Sequence, residues 1–251
     1  FTDYNILKPG TWIGTENYKR LAQDPKFWQS LKVTLRYAAI SVPLKLLFAL
    51  AVAVLLKRDS KAAPVYRAVY YLPSIMGASV AVSILWKRMF SLDGLLNQLL
   101  GINVPWLGQT STALGVLILL SVWQFGSSML IFIASMKQIP LTLYEAAEID
   151  GANHFQQLKL VVIPLSGPIM GTVAVMQFLG QWNEFVMPLI VMREQARLPV
   201  TVQLIRMAGE YIKLWGPLMA GYAIASIPVI ILFTFSMKLF VKGLTEGAVK
   251  G

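Results

Sequence analysis

Cysteine is absent from this 251-residue chain, and histidine occurs once, at His154. The first absence excludes a disulfide framework, a thiolate metal site and a cysteine nucleophile. The second excludes a multi-histidine metal cluster and leaves a serine-type triad only His154 to draw on. Charge is scarce as well: 14% of residues are Asp, Glu, Lys or Arg, where soluble domains carry about a quarter. That shortage excludes an ordinary cytosolic enzyme. No Gly-x-x-x-x-Gly-Lys-Ser/Thr phosphate loop, Gly-x-Ser-x-Gly elbow or His-Glu-x-x-His pair occurs. No catalytic residue, metal ligand or cofactor is therefore expected in this chain, and it is not expected to hydrolyse ATP itself.

Apolar residues are what it has in quantity: 56% are hydrophobic and the mean hydropathy is +0.62. So much apolar surface excludes disorder. A bilayer core of about 30 Å needs about 20 mostly apolar helical residues. Five stretches supply them, at about Leu31–Leu56, Ala68–Trp86, Thr112–Met136, Val161–Ile190 and Pro217–Val241. Strands of a membrane barrel would be shorter and alternating. The expected fold class is all-α, a polytopic membrane protein with five spans and its two termini on opposite sides. The polar start Phe1-Thr2-Asp3-Tyr4-Asn5 has no leader, so the chain reads as beginning partway into a protein whose first helix is absent. Residues 1–29 then form an extracytoplasmic segment ahead of a membrane domain at 30–251.

The net charge is +10, from 22 Lys+Arg and 12 Asp+Glu. In a chain this apolar, basic residues flank spans rather than bind nucleic acid. Lys57, Arg58, Lys61 and Arg67 crowd the loop between the first two spans, which favours a cytoplasmic place for that loop. Lys8, Lys19, Arg20, Lys26, Lys87 and Arg88 stand on the other side, so the bias is slight. Trp12, Trp28, Trp86, Trp106 and Trp215 lie near span ends or in outer loops and read as interfacial anchors. Lys45 interrupts a span with no other charge between Val42 and Leu56. It can snorkel to an interface or pair with a carboxylate; facing a cavity, it would favour an anionic substrate.

Between the third and fourth spans, Pro140 and Leu141 open a helix whose first turns carry Glu145 and Glu148, favourable near a helix N-terminus. Gly151 permits a tight break, and a second short helix leads to Pro164. Ala146, Ala147 and Ala152 leave little bulk, which suits close approach by another protein. An ordinary amphipathic loop between spans is the plainer alternative.

The runs Glu145-Ala146-Ala147, Asp150-Gly151-Ala152 and Ile163-Pro164-Leu165 resemble the EAA signature of binding-protein-dependent ABC importer permeases. The resemblance covers almost the whole chain and narrows to carbohydrate permeases related to maltose and glycerol-phosphate importers. Tyr71-Leu72-Pro73-Ser74 and Gly94-Leu95-Leu96-Asn97 are similar to one permease type of such heterodimers, Trp182-Asn183-Glu184-Phe185 to the other. It implies a type I ABC importer transmembrane domain in a bacterial or archaeal inner membrane, N-terminus outside and C-terminus cytoplasmic. The loop at about 138–160 would be cytoplasmic and couple to an ATPase through Glu145, Ala146, Ala147, Asp150, Gly151, Ala152 and Pro164. Implied partners are a second permease subunit, two ATPase subunits that bind ATP and Mg, a solute-binding protein, its sugar, and lipid.

Polar groups inside spans are costly and tend to face a cavity or the bundle interior. Carried over by motif, the family's cavity positions fall at Ser74 and Ala78, at Ser121, Gln124, Phe125 and Ser128, and at Gly180, Gln181 and Glu184. Trp182 and Asn183 belong to the same polar-aromatic cluster, and such a set offers hydroxyl partners plus an aromatic surface for a sugar ring. Each serine or glycine has a plainer reading as a helix-packing residue, and Glu184 can simply reach water. The rival from another class is an ion- or proton-coupled secondary transporter using Lys45 and Glu184, with a non-transporting scaffold as a third possibility.

Overall fold

The computed structural model describes residues 1–5, 8–57, 60–77, 79–192, 198–210 and 215–248. Its first residues form a hairpin, strand β1 (Thr2–Asn5) antiparallel to β2 (Lys8–Trp12), a small β element in an otherwise helical chain. Helix α1 (Glu16–Ala22) follows, with Asn17 buried and its amide donating to the Thr2 carbonyl at 3.0 Å. Asp24 starts helix α2 (Pro25–Leu56): its carboxylate accepts the Lys26 N–H at 2.9 Å while Pro25 takes the first helical position. At 1.5 Å per residue, α2 is about 48 Å long and outruns a bilayer core.

Then come α3 (Ala63–Met76), α4 (Val80–Met89), α5 (Leu95–Leu100), α6 (Thr110–Trp123) and α7 (Gly126–Lys137). The short α8 (Leu141–Ile149) and α9 (His154–Gln157) lead through a π turn, Leu158–Val162, into α10 (Ile163–Asn183). Helices α11 (Val186–Val191), α12 (Val200–Glu210) and α13 (Trp215–Ala248) follow.

Among the described residues three helical stretches are long and apolar enough to cross a membrane, and up to five if each of two bent pairs counts as one span. The pairs are α3 with α4 and α6 with α7, so the second and third expected spans are each broken. Ser79 explains one restart, since its side chain accepts the Val82 N–H at 3.2 Å and caps α4.

Two compact units divide the chain. The first comprises residues 1–40, 78–120 and 179–231. Its core gathers Tyr37, Phe90, Leu117, Leu120, Met187 and Leu198. Thr34 ties α2 to α12 by accepting the Val200 N–H at 2.8 Å. Trp86 and Trp106 pack inward on the first unit. Both are half-buried against Phe90, at centroid distances of 5.3 and 6.2 Å, and the Trp106 indole donates to Asn97 at 2.7 Å.

The second unit comprises residues 41–77, 121–178 and 232–251. Its core joins Ala49, Ala53, Phe125, Met129, Phe132, Val162 and Val173. Lys45 is 5% exposed and engaged within its own chain, so it does not snorkel to an interface. Helices α3 and α7 approach closely because Gly126 has no side chain: a Cβ there would stand 2.6 Å from Tyr71 Cα and closer still to the Tyr70 carbonyl. Backbone cannot step aside as a side chain can. Gly126→Ala is expected to cost about 1–3 kcal/mol by overpacking, read as a lower thermal midpoint in detergent.

Candidate coupling surface and solute pathway

Of the proposed coupling residues, Glu145, Ala146 and Ala147 lie on α8, Asp150, Gly151 and Ala152 in the turn to α9, and Pro164 near the start of α10, all within the second unit. Helix α8 ends in a Schellman turn: the Ala152 N–H donates to the Ala147 carbonyl at 2.8 Å, and the Gly151 N–H to the Glu148 carbonyl at 3.0 Å. Gly151 holds φ +77°, in the left-handed region where a side chain is strained. Asn153 then caps α9 in a reciprocal box with Gln156, with bonds of 2.8 and 2.9 Å.

Two sequence expectations change. Helix α8 is nine residues long and has no acidic group in its first turn. Glu145 falls in the second turn and Glu148 in the last, where the macrodipole disfavours a carboxylate. Pro164 does not end a helix either. Its ring would crowd the Leu160 carbonyl in regular α geometry, and it has no N–H to donate. The preceding π turn widens the spiral, with the Ile163 N–H reaching back to the Leu158 carbonyl, and α10 runs on.

Tyr144 anchors α8. It packs beside Leu158, Ile169 and Met170 on the second unit's core, and the Lys57 ammonium lies 4.5 Å from its ring centroid. Burial pushes the Tyr144 phenol above its ordinary pKa. Arg67 donates to the Leu56 carbonyl at 2.6 Å and so closes the end of α2 that carries Lys57. Nothing in the sequence singled out Tyr144; an aromatic inside the motif, one residue before Glu145, was the available signal. Much of the helix pair is uncovered: Ile149 is 86% exposed, Phe155 73% and Leu141 69%, with Glu145, Glu148 and Asp150 exposed among them. Beside it lies a hollow of about 410 Å³ lined by Ala146, Ala147, Asp150, Gly151, Ala152 and Gln156 among others. Exposed apolar side chains around a concavity fit a docking partner.

The solute-pathway candidates fall into two sets. In the second unit, Ser74, Ser121, Gln124, Phe125 and Ser128 gather at the break between α6 and α7. The Ser74 hydroxyl donates to the Gln124 carbonyl at 3.1 Å and accepts the Ser127 N–H at 3.0 Å, bridging the break. Ser128 is fully buried and accepts from the Gln177 amide at 3.0 Å. Ser121 is buried, and Phe125 packs edge-on against Phe48 at 4.8 Å.

In the first unit, Gly180 to Glu184 run along the end of α10 and past it. Gly180 is exposed with open space around it, while Gln181 and Trp182 are buried. Asn183 is exposed and donates to the Leu179 carbonyl at 3.0 Å. Glu184 is half-buried, and its carboxylate accepts the Met187 N–H at 3.3 Å at the start of α11. Its carbonyl accepts the Thr201 hydroxyl at 3.1 Å. Ala78 lies outside the described residues.

Apolar helices interrupted by small polar groups, with an exposed helix pair beside them, make up a multi-pass membrane domain. Residues 37–246 match the family described as binding-protein-dependent transport system inner membrane component, and the chain belongs to that family. It is 47% identical over 191 residues to the "Probable ABC transporter permease protein YesP" of Bacillus subtilis (strain 168), covering 74% of this chain and 62% of that protein. It is 33% identical over 173 residues to the "Probable starch degradation products transport system permease protein AmyD" of Thermoanaerobacterium thermosulfurigenes, covering 67% and 59%. The chain thus spans about three fifths of these relatives' length. Its fold matches a chain of the bacterial alginate ABC transporter, solved in complex with alginate pentasaccharide-bound periplasmic protein. The TM-score is 0.79 at 18% identity, over 89% of this chain and 81% of that one.

Proposed function

We propose that this chain is one of two permease subunits of an ATP-driven importer for a sugar or oligosaccharide delivered by a solute-binding protein. The observation that carries this is the uncovered α8–α9 pair, with its Schellman turn at Gly151, its exposed apolar and acidic side chains and its hollow. A pair of this kind suits a groove on an ATPase subunit. The surface then faces the cytoplasm, which sets the chain's N-terminus outside and its C-terminus inside. ATP and Mg²⁺ bind on two partner ATPases, in keeping with the missing phosphate loop. ATP must bind one arrangement of the complex more tightly than the other for its energy to move solute. A saccharide is favoured as solute because the relatives' names point to starch degradation products and, at the level of fold alone, alginate.

Reconstitution with the second permease subunit, the ATPases and the binding protein tests this. Uptake of labelled saccharide is expected only with ATP and binding protein together; equal uptake without either would refute it. Glu184 offers a separate check on ion coupling. As a helix cap it needs an oxygen acceptor, not a charge, so Glu184→Gln is expected to keep near-normal uptake. Glu184→Ala should lower stability by about 1 kcal/mol. Loss of uptake in Glu184→Gln would instead make its ionised form essential.

A further inference from the structure

Gln124 is held by α3 through its backbone and its side chain at once. Ser74 fixes its carbonyl. Its side chain lies over Gly77, where a Cβ would stand 2.5 Å from Gln124 Cγ and closer still to Cδ and Nε2. All three of the nearest obstructing atoms belong to that side chain. The backbone at Gly77 does not itself demand glycine. Its φ of −63° and ψ of −29° are ordinary right-handed helix values, and its N–H continues the helix to the Pro73 carbonyl at 2.8 Å. Alanine would be the better helix former there. What excludes it is the Gln124 side chain.

We infer that Gly77 is a positioning residue: the gap it leaves is a seat that sets how Gln124 presents its amide to solute hydroxyls. This rests on the pathway reading above. A carboxamide offers two donors and an acceptor, so its orientation decides which hydroxyl pattern it matches. A methyl group in the seat would be cheap for folding, because Gln124 can turn to another rotamer. It would be costly for recognition, because the amide would then point elsewhere.

The chain has no cysteine, so with partner subunits also made cysteine-free a single introduced thiol reports on one position. In Gln124→Cys the sulfur takes the place of Cγ and rests on Gly77. In the complete reconstituted transporter, Gly77→Ala is expected to speed modification of that thiol by methanethiosulfonate ethylammonium about tenfold. A Gly180→Cys thiol, placed where nothing stands within 4 Å, should react unchanged. In the cysteine-free chain, Gly77→Ala should raise KM for labelled maltotriose with kcat held, and add nothing when Gln124→Ala is already present. Equal acceleration at both thiols, no acceleration at either, or additive effects in the double variant would overturn the seat. Gln124→Ala with unchanged uptake kinetics would overturn the pathway reading instead, while the thiol rates still report the seat.

Discussion

Gly151→Val is expected to cut ATP-driven uptake by about tenfold or more while the protein still inserts at normal levels. A non-glycine residue in the left-handed region costs about 1–2 kcal/mol, and each 1.4 kcal/mol is about a factor of ten in population. A β-branched residue fares worse than most there. No atom lies within 4 Å of a Cβ placed at Gly151, so nothing is crowded. The whole effect comes from opening the turn that sets α8 against α9. Asn tolerates this region, so Gly151→Asn should keep most of the uptake. Initial uptake rates in proteoliposomes, set against the amount of protein in the membrane, measure both. Wild-type uptake by the valine variant would remove the turn from coupling.

Ser74→Ala should destabilise the transporter and impair it together. One hydroxyl serves both sides of the break between α6 and α7: it donates to the Gln124 carbonyl and accepts the Ser127 N–H. Its loss leaves two main-chain groups unpaired at a partly buried site, at about 1–3 kcal/mol each. The thermal midpoint in detergent is expected to fall by about 5 °C. Ser74→Thr retains the oxygen and should restore most of it. An alanine variant as stable as the wild type would show that water replaces the hydroxyl.

Spans were legible because long apolar runs can be satisfied in a bilayer in few ways. Their breaks were not. Gly77–Ser79 and Gln124–Phe125 interrupt the runs with only one or two polar residues, and the second break depends on Ser74 fifty positions away. The EAA-like segment is legible as a motif, but not where its charges fall: α8 stops after Ile149, which leaves Glu145 in the second turn and Glu148 in the last. Residue type and the family resemblance suggest a pathway role for Glu184, and the resemblance alone suggests one for Phe125. In the fold, the Glu184 carboxylate accepts an N–H from the first turn of α11 and Phe125 packs on Phe48. Facing within a helix is set by neighbours, and those neighbours are distant in sequence.

The π turn at Leu158–Val162 carries one more residue than an α turn would need. Removing one residue there, with Pro164 also replaced so that no ring crowds the carbonyl four residues back, would let the helix close as a regular spiral. Everything on its N-terminal side would then swing about 100° around the axis of α10. Relatives that differ by a single-residue gap at this spot would therefore present a different side of α9 to their surroundings. The turn is a place where length variation becomes a change of angle, and two otherwise similar chains would offer different surfaces to whatever docks on their α8–α9 pairs.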